Sequence, residues 1–503
     1  MLETLSASRS PLLRINSILK NTALLGGATY LSRVLCALRS LINARWLGPG
    51  LYGFWGSLSF LVSFGFHLHA GVQDIMVKQI PTYRSQGRDD LAARVAQQSF
   101  SFFSLGLLLA AFALGIVVAF LPESTPTVVR WGWWIAAVTL PLEALYFFEQ
   151  NVMRCEERFG VLNRALLLAS VVSLMLTCWL VIRYGITGLF IVAVLTPLMG
   201  LICLRRFASY PWKFTWDVPL VKSMLKAGWP ILAMTLVFES LWWVDRFLVL
   251  GFYGTEGFGY YMLGVMVMQL SFLFPQVMAS VIEPRLHYDY AKSGGTAGIR
   301  DHLWLPLRLL SFALPLALAF ADLLLPRLIH WVFPAYVPGI AAMRVLLWGS
   351  VFMGLIVSTK SFIVAIGKQR AVLPFYVAAV VVNLAVSLTL ALQGRGLAGI
   401  AAGTLAACLV CATGLLSFVF NHLGESTARI VGRIVSLYAP SAVVIAITIG
   451  LPSYLEQVFS GLSPVAVMTV GGGGLGVCAA IFAWILIREF RSRQLSEGAE
   501  VVA

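Results

Sequence analysis

The chain has 503 residues, of which 59% are hydrophobic and 12% charged, with a net charge of +14. A soluble globular chain carries about 25% charged residues. Half that share excludes a water-soluble surface over this length, and a mean hydropathy of +0.87 makes lipid the solvent for most of the chain. The apolar runs are long and unbroken, as in 103–121, which excludes a β-barrel whose strands alternate over about 10 residues. The expectation is an all-α polytopic membrane protein.

A span needs about 20 apolar residues. In chain order, fourteen spans are predicted, near 21–44, 51–71, 98–120, 128–150, 161–182, 185–204, 227–251, 259–282, 304–323, 340–366, 371–392, 396–420, 431–450 and 463–487. Arg9, Arg14 and Lys20 precede the first run, which is too long for the apolar core of a signal peptide and reads as an uncleaved span. Of the 36 Lys and Arg, 25 fall in the even-numbered connections, the span ends beside them and the two termini. Five (Arg45, Arg130, Arg183, Arg327 and Arg395) fall in or beside the odd-numbered connections, and the remaining six are assigned to the spans. Basic residues collect on the cytoplasmic side, so both termini are expected in the cytoplasm of an inner-membrane protein. The basic charge then needs no nucleic-acid partner.

The longest connections, 72–95, 205–226 and 283–302, are too short to fold a catalytic domain of about 50 residues. Seven cysteines are scattered, an odd number with six inside apolar runs, and predict no disulfide framework. Cys408 and Cys411 read as packing residues. There is no GxxxxGK[ST] phosphate loop, HExxH, GxSxG or paired Cys/His metal spacing, so neither an enzyme, a cofactor nor a metal is expected.

An internal repeat is visible. Gly48-Pro49-Gly50-Leu51-Tyr52-Gly53-Phe54-Trp55 resembles Gly254-Thr255-Glu256-Gly257-Phe258-Gly259-Tyr260-Tyr261 at an offset of 206. The offset spans six helices, so both copies keep one membrane orientation, as in transporters built from two parallel lobes. The expected organisation is a cytoplasmic segment 1–20, an N-lobe 21–204, a linker 205–226, a C-lobe 227–420, and spans 13–14 with a tail over 421–503, the lobes enclosing a central cavity.

Ionisable groups at membrane depth are costly and mark function by default. Span 1 carries Arg33 and Arg39; span 7, at the same offset of 206, carries Glu239 and Asp245. A step of six residues turns a helix by about 240°, so each pair is expected to divide between two directions. On one reading the charges clamp the lobes; on the other the arginines line a cavity for an anionic substrate and the carboxylates carry a coupling H⁺ or Na⁺. A mixed case has pairs that break during transport. Lys360 is the better cavity candidate in span 10, whereas Arg344 reads as snorkelling outward. His67 and His69 read as interfacial, and Glu143, Glu149 and Glu283 as reached by water at the cytoplasmic ends. Pro230, with Gly228, offers a hinge or gate.

The run 24–58, LLGGATYLSRVLCALRSLINARWLGPGLYGFWGSL, resembles the opening of Wzx-type polysaccharide flippases of the multidrug/oligosaccharidyl-lipid/polysaccharide exporter superfamily. The run 226–261, with Asp245-Arg246 before an aliphatic stretch and the second glycine turn, resembles that family's seventh helix, and 329–350 with 367–370 fits its later helices. The resemblance covers roughly residues 20 to 420. It implies two six-helix lobes and the flipping of a polyprenyl-pyrophosphate-linked glycan from the cytoplasmic to the periplasmic leaflet by alternating access. Arg33, Arg39 and Lys360 would then meet the pyrophosphate, since Arg binds phosphate oxygens in charge-assisted, often bidentate pairs. Spans 13 and 14 depart from the commoner twelve-helix pattern and resemble the lipid II flippase relatives. The rivals are a cation-coupled multidrug exporter of the same superfamily, which suits Glu239 and Asp245 but not the arginines, a lipid II flippase, and a membrane-embedded polymerase or ligase, which would want a larger outer loop.

Overall fold

The computed structural model describes residues 11–279, 282–283, 286, 300–450, 473–478 and 480–482. Helices fill it: α1 Pro11–Ser63, α2 Val72–Ser85, α3 Asp89–Ala119, α4 Thr127–Cys155, α5 Phe159–Leu176, α6 Ile186–Arg205, α7 Val218–Ser271, α8 Arg300–Val332, α9 Ile340–Ala365, α10 Leu373–Leu392, α11 Gly396–His422 and α12 Thr427–Ile445. No strand occurs among the described residues. Nine helices there are long and apolar enough to cross a membrane, or ten if the bent pair Thr29–His67 and Val72–Ser85 is one span. Span 14 lies mostly outside the described residues.

Helices α1 and α7 are each two helical segments joined at a glycine. Gly48 breaks α1 with φ 69° and Gly254 breaks α7 with φ 64°. These are equivalent positions of the sequence repeat. An L side chain at positive φ is disfavoured, which accounts for glycine at both.

The chain divides into two compact units, Met1–Ser240 with Tyr253–Met262, and Leu241–Phe252 with Leu263–Ala503. In the first unit α4 packs on α3 and α6, and α1 on α5. Glycines set the closest approaches: a Cβ on Gly71 would fall on the Gly228 backbone, and one on Gly228 on the Gly71 carbonyl. The segment after α6 is tied down by Glu149, whose buried carboxylate accepts from the Trp212 Nε1 at 2.6 Å and Arg205 at 3.3 Å. Gln98 and Arg94 of α3 hold Thr215 and Asp217 of the same segment. Glu149 is therefore a buried anchor rather than a group at the water's edge, because α6 and the linker close over it.

His69 is also corrected. It is buried, and its Nδ1 accepts the Gly71 N–H at 2.9 Å, so it fixes the turn between α1 and α2 instead of facing the interface.

In the second unit α11 packs against α9 and α10, and α8 against α9 and α12. Gly403 lets α11 reach the Ser387 hydroxyl and the α10 backbone. Arg344 does not snorkel outward. Its Nε and Nη2 donate to the two oxygens of Asp322 at 2.7 and 2.8 Å, and the Asp322 side chain is fully buried. Asp322, near the end of span 9, had no place among the sequence candidates. Cys408 and Cys411 are buried free thiols in α11.

Candidate functional site

Span 1 writes one side of the site as a stripe. Thr29, Ser32, Arg33, Cys36, Arg39 and Asn43 recur at three- and four-residue steps, the spacing that keeps side chains on one helix face. All six line a cavity of about 530 Å³ within the first unit. Arg33 and Arg39 therefore meet in one cavity, against the expectation that six residues would part them. Cys36 lies between them, each arginine turned about 60° from it, and a stripe about 120° wide is within reach of long guanidinium side chains.

The opposite wall comes from α4, where Glu143, Tyr146, Phe147, Gln150 and Arg154 repeat at the same helical spacing. Glu143 thereby lines the cavity instead of a cytoplasmic rim. Arg154, beyond the predicted span 128–150, is a third cation on this cavity, because α4 continues to Cys155. The signal was available: residues 143, 147, 150 and 154 mark one face of a helix.

Within the cavity Arg39 donates from Nη1 to the Ser173 hydroxyl of α5 at 2.6 Å. Its Nε is buried and has no acceptor among the described residues. Three guanidiniums and one carboxylate line the same space, with the hydroxyls of Ser59, Ser170 and Thr196 and the indole of Trp55 around them. Cations gathered in a partly desolvated space repel one another and raise the local affinity for an anion. Hydroxyls and an indole face add hydrogen-bonding and stacking capacity for a sugar-like group.

The remaining predicted residues fall elsewhere. Lys360 is exposed on α9, in the second unit, and is not among the residues that line this cavity. Glu239 belongs to the first unit, 3.8 Å from the His67 Nε2. Asp245, six residues on, belongs to the second unit and is buried. The two carboxylates thus serve different surroundings, as the 240° step requires. Pro230 lies inside α7, where Gly254 alone departs from helical angles; the backbone at Pro230 stays helical.

Asp245 sits in a polar cluster that joins α7, α10 and α11. Its carboxylate accepts from Thr404 Oγ1 at 3.2 Å and from the Arg246 backbone N–H at 2.8 Å. One turn away Asn383 donates to the Leu241 carbonyl at 3.1 Å, and Ser387 donates to both Asn383 Oδ1 and the Ile400 carbonyl. Asn383, Ser387 and Thr404 are all buried. One carboxylate with neutral oxygens around it suits a proton or a monovalent hard cation. Among the described residues no three His, Cys, Asp or Glu side chains are grouped to hold a metal ion. The sequence offered Asp245; Asn383, Ser387 and Thr404 are ordinary polar residues in apolar runs until helix packing brings them beside α7.

The fold is one shared with several membrane transporters of known structure. It resembles the lipid II flippase MurJ in an inward closed conformation at a TM-score of 0.69 and 15% identity, covering 93% of this chain and 99% of that one. It also resembles an inward-facing multidrug resistance MATE transporter at a TM-score of 0.61 and 16% identity, covering 81% and 96% of the two chains. A superfamily transporter from Pyrococcus furiosus, described as having a binding pocket of reversed polarity, gives a TM-score of 0.58 at 16% identity, over 81% and 97%. Residues 42–288, just under half of the chain, match the family described as polysaccharide biosynthesis protein. No curated protein sequence matches it significantly.

Proposed function

We propose that this protein is a flippase that carries a polyprenyl-pyrophosphate-linked oligosaccharide across the inner membrane by alternating access, with both termini in the cytoplasm. The observation that carries the reading is the convergence of Arg33, Arg39 and Arg154 on one cavity with a single carboxylate among its lining residues. A pyrophosphate supplies the anionic oxygens that such guanidiniums bind bidentately, and the Arg39 Nε supplies a buried donor for one of them. A cationic drug would face three like charges there. Its role is transport rather than catalysis, with Asp245 as the group that takes the coupling H⁺ or Na⁺.

The family matched by residues 42–288 favours a polysaccharide precursor. The resemblance to a lipid II flippase over nearly the whole chain supports the second reading, in which the glycan is the cell-wall precursor itself.

Deleting the gene and profiling lipid-linked glycans and surface polysaccharide by mass spectrometry tests both. Loss of one surface polymer, with its lipid-linked repeat units trapped on the cytoplasmic face, is the expected result. Accumulated cell-wall precursor would select the second reading. Unchanged glycans with new sensitivity to cationic dyes would overturn both in favour of a drug exporter.

A further inference from the structure

The second unit holds a basic pocket that the transport reading does not use. It measures about 430 Å³ and is lined by Trp304 and Arg308 of α8 and by Arg429, Gly432, Arg433 and Ser436 of α12. We propose that this pocket binds the phosphate of an anionic phospholipid, as a lipid site with its own lining residues. The proposal does not depend on the identity of the transported glycan.

Helix α12 places its charge against its own dipole. Arg429 and Arg433 occupy the first two turns of Thr427–Ile445, where the partial positive end of a helix favours anions and disfavours cations. Arg433 is held in place: its guanidinium lies 4.4 Å from the Trp304 ring centroid and its Nε 2.6 Å from the buried Glu425 carboxylate. Arg308 lies 4.9 Å from the same indole. Two guanidiniums on one buried indole, with a third on the exposed rim, form a fixed, concave, positive surface. A phosphate between them would relieve the repulsion and meet planar N–H edges already oriented by stacking. A Cβ added at Gly432 meets nothing within 4 Å, so the wall stays open at that point.

The neighbouring surface selects a lipid over a free anion. Leu305, next to Trp304 on α8, is 37% exposed, and Val431 and Val435, on the flank of α12 turned away from the arginines, are 56% and 58% exposed. In a membrane chain such side chains meet acyl groups. The pocket also lies where spans 9 and 13 begin, on the side that the Lys and Arg asymmetry assigns to the cytoplasm. Basic pockets between helices at that level bind anionic headgroups.

The test uses the purified full-length protein and native mass spectrometry with phosphatidylglycerol against phosphatidylcholine. Wild type is expected to retain phosphatidylglycerol selectively. Arg429→Glu, a change at an exposed side chain, and Arg308→Gln should each weaken that retention roughly tenfold, about 1.4 kcal/mol, with an unchanged helical circular dichroism spectrum. Equal retention of the two lipids by wild type, or unchanged selectivity in both variants, would overturn the proposal. Displacement of phosphatidylglycerol by equimolar soluble glycerol phosphate would overturn the lipid assignment and leave a site for free phosphate esters.

Discussion

Gly53 and Gly259 stand 206 residues apart and pack backbone against backbone, with no room for a Cβ on either. A Cβ on Gly53 would fall on the Thr255 carbonyl and the Gly259 backbone, and one on Gly259 on the Pro49 carbonyl. Thr255 is the repeat counterpart of Pro49, and Gly259 of Gly53, so the contact is reciprocal. Each turn of the repeat is the surface on which the other rests.

Gly53→Ala is accordingly expected to destabilise the protein by about 1–3 kcal/mol, the usual range for overpacking against atoms that cannot move aside. Gly50→Ala, three residues away where a Cβ meets nothing within 4 Å, is the control and should be neutral. Thermal unfolding of the two detergent-purified variants measures the difference, and equal midpoints would refute the seam.

Arg33→Ala should abolish flipping of the lipid-linked glycan while expression stays intact. Arg39→Lys should keep the charge but lose the planar fork, leaving partial transport. A glycan-flipping assay in reconstituted vesicles measures both, and full activity in the Arg33 variant would remove that residue from the site. Arg154→Ala is expected to resemble Arg33→Ala, since it lines the same cavity.

Asp245→Asn should preserve the acceptor for Thr404 Oγ1 while removing the charge, so that transport falls about tenfold and no longer responds to an imposed H⁺ or Na⁺ gradient. Thr404→Val should weaken the response without abolishing it. Gradient-driven transport in vesicles separates these outcomes. An unaltered gradient response in the Asp245 variant would place the coupling group elsewhere.

The Asp322–Arg344 pair predicts an asymmetry. Arg344→Met strands a fully buried carboxylate and should cost about 3 kcal/mol. Asp322→Leu leaves an arginine that is 38% exposed and can turn toward headgroups or water, and should cost clearly less. Unfolding midpoints of the two single variants check the order.

The sequence by itself determined the membrane class, the helical architecture and the repeat, because these follow from local quantities. Long apolar runs must hydrogen-bond their backbone within helices in lipid, and Gly48 and Gly254 announced the two breaks through their shared surroundings. It also singled out Arg33, Arg39, Glu239 and Asp245, since charge inside an apolar run is conspicuous without any structure. Only tertiary packing decided which of them share a space. Arg33 and Arg39 meet because the stripe between them faces one cavity, whereas Glu239 and Asp245 part to different units. Ser173, Thr404 and Asp322 came into view only when separate helices set them beside Arg39, Asp245 and Arg344. Such contacts join residues tens to hundreds of positions apart, and helical periodicity fixes the face of each side chain but not the neighbour that covers it.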